Sequence, residues 1–167
     1  MYGRINYNYA DKYLLTATVR RDGSSRFGSG NKWGIFPSVA ASWRISQEDF
    51  FQNDIMSDLK LRASFGITGS QEIGNYNSLS TLGASTNGYL VGGEKITIVL
   101  PQQYTNPDLK WEQTAQTDIG IDFGFLNGKI RGSIDYYYKK TTDLLLSVAV
   151  PSPSLITTQI ANVGTVT

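Results

Sequence analysis

Residues 58–69 read DLKLRASFGITG, and the alternation within them decides the fold: Leu59, Leu61, Ala63, Phe65 and Ile67 recur at every second position, with Lys60, Arg62 and Ser64 between them. A period of two marks a strand with two unlike faces. The same frame extends in both directions and predicts six strands, over 3–9, 13–21, 33–45, 58–69, 111–125 and 129–145. One face carries Ile5, Tyr7, Tyr9, Tyr13, Leu15, Val19, Val39, Trp43, Leu61, Ile119, Ile121, Ile134 and Tyr136, and no charge falls among these positions. The interleaved positions hold Arg4, Arg20, Arg44, Lys60, Arg62, Asp118, Asp122, Arg131, Asp135 and Lys139.

The connections are patterned as well. Ala10-Asp11-Lys12 and Leu126-Asn127-Gly128 read as tight turns, the second with Asn-Gly where φ > 0 is favoured. Residues 46–57 contain SQEDFFQNDI, in which Ser46 followed by Asp49 suits a helix N-cap, so one short helix is expected there. Longer connections, 22–32, 70–110 and 146–162, fall at the other end of the strands, and Gln159–Thr167 reads as the start of a further strand.

Composition narrows the function. The chain has 167 residues, 17% charged and 12% aromatic, with no Cys and no His. Disulfides and every catalytic or metal-binding arrangement built on Cys or His are thereby excluded. A net charge of +1 gives no basic surface for nucleic acid. Asp118 and Asp122 lie four residues apart on one strand, about 13 Å by strand rise, too far for a glycosidase pair. No catalytic residue, metal site or cofactor is expected. No stretch is long and apolar enough for a membrane-spanning helix, and residues 1–15 lack the apolar core of a signal peptide.

A soluble antiparallel sheet also alternates apolar and polar faces. Two features argue instead for a bilayer. Several segments reach twelve or more residues, beyond the five or six of an ordinary strand and enough for a tilted transmembrane one. Tyr7, Tyr9, Tyr13, Trp43, Phe123 and Phe125 gather near the short turns, and Phe65, Tyr136 and Tyr138 lie toward the other rim, as aromatic girdles do in outer-membrane barrels. The fold class is therefore all-β, an antiparallel transmembrane β-barrel segment of six to seven strands whose polar face lines a wet or protein-filled lumen.

At this point the residues resemble a known family. Gly3-Arg4-Ile5-Asn6-Tyr7-Asn8-Tyr9, Arg20-Arg21-Asp22-Gly23-Ser24-Ser25-Arg26-Phe27-Gly28, Trp33-Gly34-Ile35-Phe36-Pro37-Ser38, Gly74-Asn75-Tyr76 and Asn106-Pro107-Asp108-Leu109-Lys110-Trp111-Glu112 are similar, in order, to blocks of the SusC/RagA-type TonB-dependent transporter barrels of Bacteroidetes-like bacteria. The resemblance implies a 22-stranded barrel in the Gram-negative outer membrane. Such a barrel imports oligosaccharides or peptides, is energised by the TonB complex and is capped by a SusD-like surface lipoprotein. Residues 1–167 would be one part of that barrel, in contact with outer-membrane lipid, with the plug domain, the TonB-contacting segment and the signal peptide absent from this sequence.

The long connections would face outward. Gln71, Asn75, Tyr76, Asn77 and Tyr89 combine amides with aromatic faces and are the candidate contacts for a glycan or peptide ligand. Arg20, Asp22 and Arg26 are the candidate partner or vestibule residues. Two other readings stand beside this one: a complete small outer-membrane barrel of structural role, and a soluble all-β carbohydrate-binding module.

Overall fold

The structure is a computed structural model that describes residues 1–51, 55–85 and 90–167. Thirteen strands form: β1 (Tyr2–Tyr9), β2 (Tyr13–Gly23), β3 (Trp33–Arg44), β4 (Met56–Ser70), β5 (Thr81–Ser85), β6 (Leu90–Val91), β7 (Glu94–Lys95), β8 (Ile98–Gln103), β9 (Glu112–Phe125), β10 (Ile130–Thr142), β11 (Leu145–Ala149), β12 (Thr158–Asn162) and β13 (Thr165–Val166). Seven make one antiparallel sheet in the order β1-β2-β3-β4-β9-β10-β13. The six long strands are those the alternation predicts, to within three residues at either end. Each pairs with the next of the six, as short turns and no crossovers require.

Register puts the apolar residues of neighbouring strands side by side. Tyr7 pairs with Leu15, Leu15 with Ala41, Ala41 with Ala63, Ala63 with Ile119 and Ile119 with Tyr136, one uninterrupted row across the sheet. Nothing in the described chain covers that row. Ile5 is 73% exposed and Ile134 66%, and among the described residues the buried apolar ones are Phe27, Phe36, Ile73, Leu109, Trp111 and Ile156. A water-soluble sheet of this length would bury its apolar face under a second layer. This one leaves it open.

The turn at one end of the sheet is tight because the backbone enters the left-handed region. Ala10 and Asp11 have φ of 53° and 54°, and the Lys12 amide donates to the Tyr9 carbonyl at 3.0 Å. At the 126–128 turn Leu126, Asn127 and Gly128 all have positive φ, so the left-handed stretch begins one residue before the expected Asn-Gly pair.

The short helix expected over 46–57 is not found: a single 3₁₀ turn, Ile45–Gln47, stands there, and Gln52, Asn53 and Asp54 lie outside the described residues. Ser46 is inside that turn and its hydroxyl donates to Asp58 at 3.0 Å, so it caps nothing. Glu48 leaves the helical region, with ψ of 147°, because distant partners hold it. It accepts hydrogen bonds from the Tyr13 hydroxyl at 2.7 Å, the Trp43 indole at 3.0 Å and the Lys12 ammonium at 3.1 Å. Tyr13 and Trp43 stack at 6.2 Å with their apolar faces on the sheet's open side. Their polar tips thus meet a carboxylate just beyond the strand ends, the arrangement that suits amphipathic rings at a membrane boundary.

Those three donors, led by the Tyr13 hydroxyl, lower the Glu48 pKa from 4.5 to about 2. A depressed folded-state pKa means stability that is complete above pH 4.5 and is lost as pH falls toward 2. The expected outcome is a change in the Trp43 indole N–H resonance of the intact protein centred near pH 2. A Glu48→Gln variant should show no such titration.

Candidate functional site

Two regions bring polar groups together, the charged face of the sheet and the layer of connections at its long-loop end. On the charged face Arg62 is the hub. Its guanidinium donates to both oxygens of Asp122 at 2.9 Å and to Asp135 at 2.8 Å, crossing from β4 over β9 to β10. Register explains the reach, since Arg62, Gly120 and Asp135 stand side by side. A Cβ at Gly120 would collide with the Asp135 carboxylate and the Arg62 guanidinium, so glycine keeps that path open. Asp118 instead accepts from Ser64 at 3.1 Å and Gln116 at 2.9 Å. Asp122 is thus tied to β4 by Arg62, and Asp118 bonds Ser64 on β4 and Gln116 on its own strand.

The long-loop end holds what core the chain has. Phe27, Phe36, Ile73, Leu109 and Trp111 pack together, with Ile67, Leu145 and Ile160 against them. Phe27 and Trp111 rings lie 5.2 Å apart, and Phe36 meets Trp111 edge-on at 5.4 Å. Three of the sequence blocks, 20–28, 33–38 and 106–112, therefore converge on one cluster. Gly28 sits so close to the Pro107 carbonyl that a side chain there would overlap it. Asn162 clamps the loop from the far side, its amide donating to the Lys110 and Asp143 carbonyls while its oxygen accepts from the Lys110 amide. Ile67 belongs to this cluster and not to the open apolar face, because β3 and β4 pair only from Ser38↔Gly66 to Arg44↔Lys60 and part beyond it.

The connection between β4 and β9 is more ordered than alternation shows. β5 pairs with β8 and β6 with β7, two short ladders inside the 70–110 stretch. The 159–167 segment does hold a further strand of the main sheet, but only at Thr165–Val166; its first part, in β12, folds back on β11.

Of the candidate ligand residues, Gln71 comes nearest to the vestibule group. Its carbonyl accepts from Arg26 at 2.9 Å, and it lines a cleft of about 350 Å³ with Arg20, Asp22, Trp33 and Trp111. Arg20 and Asp22 form an ion pair within β2. Arg21, at the outer rim of the apolar side, lays its guanidinium over Trp33 at 4.4 Å, a cation–π contact. Asn75, Tyr76 and Asn77 stand apart in a turn whose Tyr76 carbonyl accepts from the Leu79 amide and from Gln103. Tyr76 itself has φ of 65° and a 68% exposed side chain. Tyr89 lies outside the described residues. Sequence reasoning missed Trp111 as a site residue: it lines the cleft, is 6% exposed, and its indole nitrogen has no partner among the described residues. The block that contains it, Asn106–Glu112, was the available signal.

The family description "TonB dependent receptor-like, beta-barrel" matches residues 1–167, the whole chain. The chain belongs to the TonB-dependent receptor β-barrel family. It is 46% identical over 154 residues to the TonB-dependent receptor SusC of Bacteroides thetaiotaomicron, covering 90% of this chain and 15% of that protein. It is 44% identical over 164 residues to the TonB-dependent receptor P26 of Formosa agariphila, covering 98% of this chain and 16% of that one. Among solved structures, that of the RagAB peptide transporter superposes with a TM-score of 0.86 at 34% identity, covering 98% of this chain and 18% of its counterpart. The chain thus spans about a sixth of the relatives it matches. This family is one of outer-membrane β-barrel transporters and not of enzymes.

Among the described residues the aromatic cluster is where the 24–32 and 106–111 connections meet the sheet. Phe27→Ala removes a 1% exposed ring from its centre. The expected cost is about 3–5 kcal/mol to the loop layer. It should appear as faster amide hydrogen exchange in 24–32 and 106–111 of the intact protein, with exchange in β9 and β10 unchanged.

Proposed function

We propose that residues 1–167 are a section of the wall of a SusC/RagA-type transporter barrel of 22 strands, in the Gram-negative outer membrane of a Bacteroidetes-like bacterium. The apolar face meets outer-membrane lipid, the Arg62 face lines the lumen, and the 24–32, 71–111 and 143–164 connections build part of the outer vestibule. The nutrient is an oligosaccharide or peptide. A SusD-like surface lipoprotein covers the vestibule, and the TonB complex drives import through parts of the protein other than these residues. The segment performs no chemistry and binds no nucleic acid.

One observation carries this reading: a long antiparallel sheet whose apolar face is uncovered and whose opposite face pairs its charges across strands. Hydrocarbon tolerates such a sheet only when strand pairing satisfies every backbone group. The soluble-module reading needs the apolar face buried, and it is not. Within the vestibule the cleft beside Trp111 is the ligand contact we assign to Gln71, Arg20 and Asp22, with Tyr76 as an exposed aromatic surface nearer the loop tip.

Spin labels at Leu61 and Ile121 test the assignment. In the intact protein reconstituted in lipid, both should be relaxed by oxygen and shielded from a water-soluble nickel reagent, while a label at Ser64 shows the reverse. Contact of Leu61 and Ile121 with a second protein layer would overturn the reading. An Ile121→Arg substitution, near mid-depth, is expected to destabilise the reconstituted protein by roughly 2–4 kcal/mol in denaturant titration.

A further inference from the structure

The open apolar face is not uniform. Along the row from Tyr7 to Tyr136, Ala41 and Ala63 stand side by side between Leu15 and Ile119. Two methyl groups between longer side chains leave a trough. Tyr13, Trp43 and Leu61, two residues nearer the short turns, close it on that side. Together these residues line an almost wholly apolar groove of about 530 Å³. A cavity of about 150 Å³ already takes up one benzene-sized molecule, so the groove has room for a stretch of acyl chain. Its short-turn end carries charge. Tyr13 and Trp43 direct their polar tips to Glu48, and Glu48 shares the Lys12 ammonium with Asp49, at 3.1 and 3.8 Å. The Glu48 carboxyl, its pKa lowered to about 2, is ionised at neutral pH. One cation thus faces two carboxylates, a sum of −1, and Asp49 is fully exposed.

Hydrocarbon is as apolar as the side chains it touches, so packing and polar contacts are what select one lipid over another. The packing is supplied by rings that Glu48 holds in place: a chain lying over Ala41 and Ala63 meets carbon below it and on its flanks. At the rim the surplus carboxylate attracts an ammonium and repels a headgroup whose only charge is a phosphate. A second copy of this chain fits less well, because an isologous contact centred on the groove would bring two acidic rims together. We propose that the groove holds one acyl chain of a zwitterionic phospholipid whose primary ammonium meets Asp49 and whose phosphate lies toward Lys12. The proposal rests on the barrel reading above, which puts this face in lipid. It adds that one lipid on the short-turn side is selected by its headgroup.

Photolabelling of the intact protein in lipid nanodiscs tests it, with a phosphatidylethanolamine that carries a diazirine in its acyl chain. Adducts mapped by mass spectrometry should concentrate on Trp43, Leu61 and Ile119 over Ile134, which shares a register row, and so a depth, with Trp43 and Leu61 but lies outside the groove. Unlabelled phosphatidylethanolamine should compete about threefold to fivefold better than phosphatidylglycerol with the same acyl chains. That difference should vanish in Asp49→Asn. Ala63→Leu, which fills the trough and keeps the face apolar, should bring labelling at Trp43 and Leu61 down to that of Ile134. Equal labelling of Ile134 in the unsubstituted protein, the mark of bulk lipid, would overturn the proposal. So would equal competition by the two headgroups, or a groove left unlabelled because a second copy covers it. If the spin labels at Leu61 and Ile121 still report lipid, such a failure removes the lipid site alone; if they report a second protein layer, the barrel reading falls first.

Discussion

A strand that lies against hydrocarbon has no water to hydrogen bond with, so each of its peptide groups must bond to the strand beside it. The main sheet is organised around this requirement. It explains why six strands of eight to fifteen residues pair with so few irregularities, the one register shift between β4 and β9 falling at Met56/Asp58, at the strand's end. It also explains why side chains can be sorted so strictly. Once the backbone is satisfied laterally, one face is free to be apolar over the middle of the sheet, with Arg21 and Lys140 at its long-loop rim, and the other to carry Arg62, Asp118, Asp122 and Asp135.

The wall was therefore legible from sequence in nearly all its detail. Leu59 to Ile67 set a frame that holds through β2, β3, β9 and β10, because a charge on the wrong side would carry a large cost at every turn of the alternation. What was not legible was set by distant contacts. Nothing local to Glu48 says that Tyr13, Trp43 and Lys12 will draw it out of a helix. The ladders β5–β8 and β6–β7 are separate from the main sheet and short, so its alternation does not extend to them. Ile67 kept the apolar rhythm but packs elsewhere, because the two strands that hold it separate above Gly66.

The candidate site was legible only in part, for a related reason. Ordered blocks at 20–28, 33–38 and 106–112 were recognisable, and Phe27, Phe36 and Trp111 within them pack on one another. Phe27, Phe36 and Trp111 hold the loops; Gln71 lines a cleft beside them with Arg20 and Asp22 of β2. Asn75 and Tyr76 sit on a separate turn, so a list of amides and aromatics drawn from one long loop mixed two different places.

The loop cluster is rooted in the wall by Phe36 on β3 and Ile67 on β4, while Phe27, Ile73, Leu109 and Trp111 come from connecting segments. The loop layer is thus a small folded body riveted to two neighbouring strands of the sheet. Residues beyond that anchorage can be exchanged or lengthened without disturbing the strand pairing beneath.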